Sequence, residues 1–330
     1  MARPQKIPAT QLKRVHRLEL KLEEAADNGE LEKAKLALDE LKIILGKFDH
    51  RARIFQGYLK LYEAALEAWE LDIAQKGFEY VRKNTSKQTR TYLEATALLA
   101  IAHLREQNLQ KAEPFIVEVL KNDSVIKSEE TRTHFRKEII ERFDQEGTLA
   151  ALAKISPESY DNDKIHKEAL ALLMEGKNEE DLQEIIGAKA PQSVKDFLFK
   201  IDQFGKNILP HHERLLLPSP KDIINNRETG GVIFAGVKRR AYKYVCEENS
   251  EVYQAWVHGG IDAVLSKSYV ASAVVGALTD VKIGMSSIAV GISALLMKHG
   301  ITNFCKKNRP IPIMGLRKKS NTYQAPGRQE

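Results

Sequence analysis

The segment TRTYLEATALLAIAHLREQNLQKAEPFIVEVLKND, Thr89 to Asp123, reads as two helices joined by a tight polar turn at Glu106 to Asn108. Leu98, Leu99 and Ala102 before the turn, and Leu109, Ala112, Ile116 and Val119 after it, recur at the three- and four-residue spacing that lines one helical face. A lone hairpin cannot bury both stripes, so it needs neighbours stacked on it.

The upstream chain supplies them. Thr10 is placed to cap a helix with the stripe Leu12, Val15, Leu18 and Leu22, which Asp27, Asn28 and Gly29 end. A second helix starts at Leu31. Arg53 to Trp69 and a helix from Leu71 repeat the pair. Three times the chain writes a leucine, an alanine three residues on, and larger apolar residues four and seven after that: Leu31/Ala34/Leu38/Leu41, Leu71/Ala74/Phe78/Val81 and Leu109/Ala112/Ile116/Val119. The alanines are 40 and 38 residues apart. A methyl at a helix crossing permits the close approach that lets its larger neighbours interlock.

The segments GELEKAKLALDELKIIL and QNLQKAEPFIVEVLKND resemble the second helices of tetratricopeptide repeats, over a region from about Leu12 to Asp123. The steps are longer than that family's roughly 34 residues, and the family's terminal proline is absent. The fold class expected is mainly α: stacked antiparallel hairpins, a tetratricopeptide-like α-solenoid, followed by a smaller and mostly helical C-terminal domain. A generic helical bundle with leucine and alanine in its core is the plainer alternative. Stacked pairs of this kind curve, and first-helix side chains on the concave face meet a peptide or partner protein. By position those residues are Tyr58, Tyr62, Tyr92, Thr96 and His103.

Around this array the chain divides into a leader (1–9), the helical-repeat domain (10–205), a linker or strap (206–227), a C-terminal helical domain (228–305) and a basic tail (306–330). Within the first domain, Phe135, Ile139, Ile140 and Phe143 mark a helix that Gly147 follows. Leu149 to Ile155 read as a short apolar turn, SPESYDND as a linker, and Ile165 to Met174 with Leu182 to Ile186 as a further hairpin. Pro191 suits a first helical position. Three prolines, Pro210, Pro218 and Pro220, forbid a continuous helix in the strap. Val232 to Phe234, flanked by glycines, is open between a strand and a helix start.

From Ser268 to Met297 there are two charged residues, Asp280 and Lys282. The apolar pieces on either side of them are each shorter than the roughly 20 residues of a spanning helix. Three readings are open: a buried hairpin, a membrane-inserting or membrane-lying hairpin, and an oligomer interface. The 330-residue chain has a net charge of +6, but eight Lys or Arg against one acid fall between Lys298 and Glu330, so the basic character belongs to the tail. With its proline and glycine the tail reads as a solvated, disordered end; an acidic partner, anionic lipid or nucleic acid is the functional counterpart.

Two cysteines, Cys246 and Cys305, are too few for a disulfide framework and lack zinc spacing. They read as buried free thiols in a reducing, cytoplasmic compartment, with attachment to a membrane surface left open. No catalytic residue, cofactor or metal ligand is assigned. His211, His212 and Glu213 lie side by side where side chains alternate direction, which suits no single metal. Gly230, Gly231 and Gly236 fit neither phosphate-loop spacing and read as backbone turns. Lys238, Arg239 and Arg240 with Tyr242 and Tyr244, joined by Lys306, Lys307 and Arg309, are an anion or nucleic-acid contact at most. The sequence therefore favours a non-catalytic adaptor that binds a protein or peptide, ahead of a membrane-associated effector and a nucleic-acid-binding protein.

Overall fold

In a computed structural model, residues 4–155, 159–208 and 225–317 are described. They form fifteen α-helices, and among them there is no strand. In order these are α1 (Ala9–Asp27), α2 (Leu31–Lys47), α3 (Arg51–Glu67), α4 (Leu71–Asn84), α5 (Arg90–Arg105), α6 (Leu109–Lys121), α7 (Glu129–Leu152), α8 (Asn162–Met174), α9 (Glu179–Lys189) and α10 (Gln192–Ile208). After them come α11 (Asn226–Cys246), α12 (Glu251–Leu265), α13 (Tyr269–Asp280), α14 (Ser286–His299) and α15 (Ile301–Lys307). The chain is mainly α.

Two compact units divide it. The first contains residues 4–103, 114–139 and 311–317; the second contains 104–113 and 140–310. The division falls within α5 to α7 and before Ile311, not at the proline-bearing stretch, whose residues 209–224 lie outside the described set together with His211, His212 and Glu213.

In the first unit α1 packs on α2, α2 on α3, α3 on α4, and α1 also on α3. Each hairpin turns in the same way. Gly29 (φ 68°) and Trp69 (62°), and Gln107 (62°) among the residues of the second unit, take the left-handed conformation two residues before Leu31, Leu71 and Leu109. The amides of Glu30 and Glu70 reach back to the carbonyls of Ala25 and Ala65, at 2.8 and 2.9 Å, closing the helix C-terminus. One residue later the next helix begins, and Ala34, Ala74 and Ala112 all have no exposed surface. Gly29 has a second reason to be glycine: a Cβ there would lie 3.0 Å from the Ala68 amide nitrogen at the end of α3, so the first turn rests on the second.

Three local expectations need correction. Helix α1 starts at Ala9 after Pro8, without a side-chain cap from Thr10. Gly147 is buried inside α7, which runs unbroken to Leu152, because a packed helix tolerates the roughly 1 kcal/mol that a glycine costs. Tyr160 of the expected linker is a clasp: its hydroxyl donates to the Ile283 carbonyl at 2.5 Å and accepts from the Met285 amide at 3.1 Å.

In the second unit α14 is enclosed. Every residue from Ile288 to Met297 is buried, with α8, α9, α13 and α15 packed around it. A helix covered on all sides has no polar face, which accounts for the missing charge. Of the three readings left open for residues 268–297, the buried hairpin describes this region. No single described helix is long and apolar enough to cross a membrane; two bent pairs, α12 with α13 and α14 with α15, reach that length and composition only together, across bends of 102° and 93°.

The glycines read as turn residues are helical, and Gly230 among them lets two backbones touch. Val232 to Phe234 is likewise helix, within α11. A Cβ on Gly230 of α11 would sit 1.9 Å from the Gln183 carbonyl oxygen of α9, and one on Gly187 would sit 1.7 Å from the Asn226 carbonyl oxygen. Gly230→Ala is therefore expected to destabilise the second unit by about 1–3 kcal/mol, because the obstacle is backbone rather than a movable side chain. Gly46→Ala, on exposed α2 surface with nothing near its Cβ, should instead stabilise by about 0.5–1 kcal/mol. Paired urea titrations check both signs, and a neutral result at Gly230 would contradict the close crossing.

Cys246, the last residue of α11, and Cys305 of α15 form a disulfide across 59 positions. The expectation of two free buried thiols is corrected. Both side chains are half-buried, and their pairing follows from α11 and α15 packing together, which spacing in the sequence does not announce.

Candidate partner-binding surface

In the first unit, α3, α4 and α5 carry three groups of side chains, and the five residues expected to line one groove fall in the first two. The first is aromatic. Phe55, Tyr58 and Tyr62 follow the helical repeat along α3, and Tyr80 of α4 meets Tyr58 edge-on at 5.5 Å. Tyr62 stacks near Tyr58 at 6.1 Å and meets buried Phe78 edge-on at 6.2 Å. Gly77 makes room for this, since a Cβ there would lie 2.1 Å from the Tyr62 ring. Tyr80 is 45% exposed and the others on α3 are half-buried, so the cluster faces outward in part. Lys42 of α2 lies 5.6 Å over the Tyr58 ring. A hydrogen bond to Asp39, above all, raises the Lys42 pKa, and burial raises that of Tyr62.

The second group is closed and structural. Arg82 of α4 donates to Thr96 Oγ1 (2.9 Å), to the Tyr92 hydroxyl (3.0 Å) and to Glu118 of α6 (2.6 Å). The Tyr92 hydroxyl donates in turn to the other Glu118 oxygen at 2.6 Å. The guanidinium also lies over the Tyr92 and Phe115 rings, at 5.1 and 4.8 Å. Burial, and then the bond to Glu118, raise the Tyr92 pKa. His103 stacks on Phe115 at 5.5 Å with 10° between the planes. Tyr92, Thr96 and His103 are all buried, as is every residue of α5 from Thr91 to Arg105. Of the five side chains expected to meet a partner, these three are withdrawn from solvent, because α5 is covered all round; Tyr58 and Tyr62 keep partial exposure.

Nothing in the sequence singled out the third group. Glu63 of α3 and Glu94 of α5 are 4% and 0% exposed, and both accept hydrogen bonds from the segment Ile311–Arg317. The Ile313 amide donates to Glu63 Oε1 at 2.9 Å. Arg317 donates through Nε to both Glu94 oxygens (2.8 and 2.9 Å), through Nη2 to Glu94 as well, and at 3.3 Å to Thr91 Oγ1. Arg90, one turn before Glu94 on α5, adds a bond at 2.9 Å. Ile313 to Arg317 form a 3-10 turn, in which Ile313, Met314, Gly315 and Leu316 are buried. The tail expected to be disordered from residue 306 is thus folded as far as Arg317. Its composition hid an apolar run, IPIMGL, among proline, glycine and lysine.

The second unit holds the residues expected to contact anions. Lys238, Arg239 and Arg240 are half-buried on α11, and Arg240 lies near enough to buried Glu146 to favour that carboxylate's charged form. Lys306, Lys307 and Arg309 are exposed, and Arg309 acts on the Tyr242 phenol, whose pKa burial raises. The Tyr244 pKa is pushed up to about 12, first by burial and then by a hydrogen bond to Asp280, which also pairs with Lys243 at 2.9 Å. Among the described residues no group of three or more His, Cys, Asp or Glu is placed to hold a metal ion.

Comparison with known proteins leaves the chain defined by its own architecture: no family model, no curated protein and no solved structure matches it.

Proposed function

We infer that the chain is a non-catalytic adaptor that holds a peptide or partner protein on the helical hairpins of its first unit, built as a tetratricopeptide-like stack. One observation carries the reading: α3 and α5 aim two buried carboxylates at a 3-10 turn more than 200 positions away in the chain, and hold that short segment by a main-chain amide and an arginine. The repeated turn, the buried alanines and the half-exposed Phe55, Tyr58 and Tyr80 agree with it, since aromatic side chains dominate the energetics of protein contacts.

The membrane-effector reading ranks second, because residues 288–297 would first have to leave the enclosure around α14. Nucleic-acid binding ranks third, with Lys238, Arg239 and Arg240 half-buried and Arg240 close enough to favour the charged form of Glu146.

Affinity capture from the cell of origin tests the adaptor reading, using the immobilised full chain and its Tyr58→Ala/Tyr80→Ala variant. The wild-type chain is expected to retain the same proteins in replicate captures, and the variant to retain at least five-fold less of them. Retention no greater than on bare resin, or equal retention by both chains, would overturn the reading.

A further inference from the structure

We propose that Glu63 of α3 and Glu94 of α5 form a recognition site for a segment in which a compact apolar turn is followed by arginine, and that residues 311–317 are its resident occupant, displaced by a partner segment of the same chemistry. The inference rests on the adaptor reading and names the ligand.

The contact is built as recognition rather than as filler. A carboxylate removed from water is stable only when paired, and both of these are almost wholly buried. Glu63 reads a main-chain amide, which every non-proline residue offers, and so fixes the path of a peptide without selecting its side chain. Glu94 reads Arg317 through two guanidinium nitrogens, a planar match that lysine does not reproduce. Between them Ile313, Met314 and Leu316 are buried in the turn that Gly315 closes by donating to the Pro312 carbonyl at 2.9 Å. The site thus asks for one amide, a compact apolar turn and an arginine. Nothing in that list requires the peptide to belong to the same chain.

The tether explains why this segment is resident. A ligand joined to its site acts at an effective concentration on the order of millimolar, so a free peptide of equal intrinsic affinity competes poorly until the tethered copy is weakened. A partner then wins by binding more tightly or by adding contacts elsewhere on the surface.

The probe is a labelled, end-capped synthetic peptide with the sequence of residues 310–317, PIPIMGLR, followed by fluorescence anisotropy. The receptors are the full chain and its Leu316→Asp/Arg317→Glu variant, which sets a carboxylate against Glu94 and releases the segment. The variant is expected to bind the peptide at least ten-fold more tightly than wild type. A peptide with glutamate in place of the final arginine should lose at least ten-fold, as should Glu94→Gln in the released chain. A second measurement needs no variant: in wild-type chain the Ile313 amide should exchange slowly with deuterium, and excess peptide should speed exchange across residues 311–317.

Absence of peptide binding to a released chain of unchanged helicity, or binding indifferent to the final arginine, would overturn the proposal. So would residues 311–317 exchanging freely in wild type. If the released chain still retains its partner proteins but not the peptide, this inference fails alone; if neither is held, the adaptor reading fails with it.

Discussion

Replacing Glu146 with glutamine is expected to destabilise the second unit by about 3–5 kcal/mol, the cost of leaving buried guanidinium groups without their counter-charge. Glu146 of α7 is 5% exposed. It accepts from Arg105 of α5 through both carboxylate oxygens, at 2.9 and 2.7 Å, and from Arg142 one turn earlier at 2.8 Å. Burial by itself would raise its pKa. Arg105 and Arg142, with the Arg105 hydrogen bonds and Arg240 behind them, outweigh burial and hold it at about 2, against an ordinary 4.5. That difference corresponds to roughly 3 kcal/mol at neutral pH, consistent with the mutational figure.

The sign of the pH dependence follows. A depressed carboxylate pKa means that the unfolded chain binds the proton more readily, so the contribution is complete above about 4.5 and is lost as pH falls toward 2. Wild type and Glu146→Gln should therefore differ most at pH 6–7 and converge on acidification. Urea unfolding at pH 7, 4 and 3 measures this. A gap unchanged between pH 7 and pH 3 would mean that charge is not what Glu146 supplies.

Reduction of the Cys246–Cys305 bridge is the second large effect. A closed loop of about 60 residues restricts the unfolded chain by about 4 kcal/mol in the chain-entropy account. The two tryptophans separate the units: Trp69 lies in the first and Trp256 in the second, and both are half-buried. In a Trp69→Phe chain, reductant should lower the unfolding midpoint reported by Trp256. In a Trp256→Phe chain, the midpoint reported by Trp69 should stay within error. Equal shifts in the two chains would show that the bridge stabilises more than the unit that contains it.

The hairpins were legible because burial is periodic. Ala34, Ala74 and Ala112, with Leu38, Phe78 and Ile116 four residues on, are all within 2% of complete burial. The turns were legible in position but not in their shared left-handed conformation, because Trp69 and Gln107 occupy places where such backbone normally announces itself as glycine. In the second unit the reverse error occurs: Gly187 and Gly230 mark a helix crossing, and local sequence does not distinguish that use of glycine from a turn. The five residues expected to face a partner separate into a partly open and a buried group. Tyr58 and Tyr62 are on a partly open face, while Tyr92 and Thr96 serve Arg82, whose approach depends on α4, α5 and α6 coming together. Nothing in the sequence set Glu63 and Glu94 apart, since the Ile313 amide and the Arg317 guanidinium that reach them are 250 and 223 positions away.

That separation bears on how the protein is made. At roughly 5–20 residues per second, between about 12 and 50 seconds of translation pass from the synthesis of Glu63 to that of Ile313. During this interval the nascent N-terminal helices lack the Ile313 amide and the Arg317 guanidinium that Glu63 and Glu94 accept from, and of the bonds named here only the one from Arg90 to Glu94 has both its partners. The contacts that residues 313–317 make in the first unit can therefore form only after the helices encoded in between have been made.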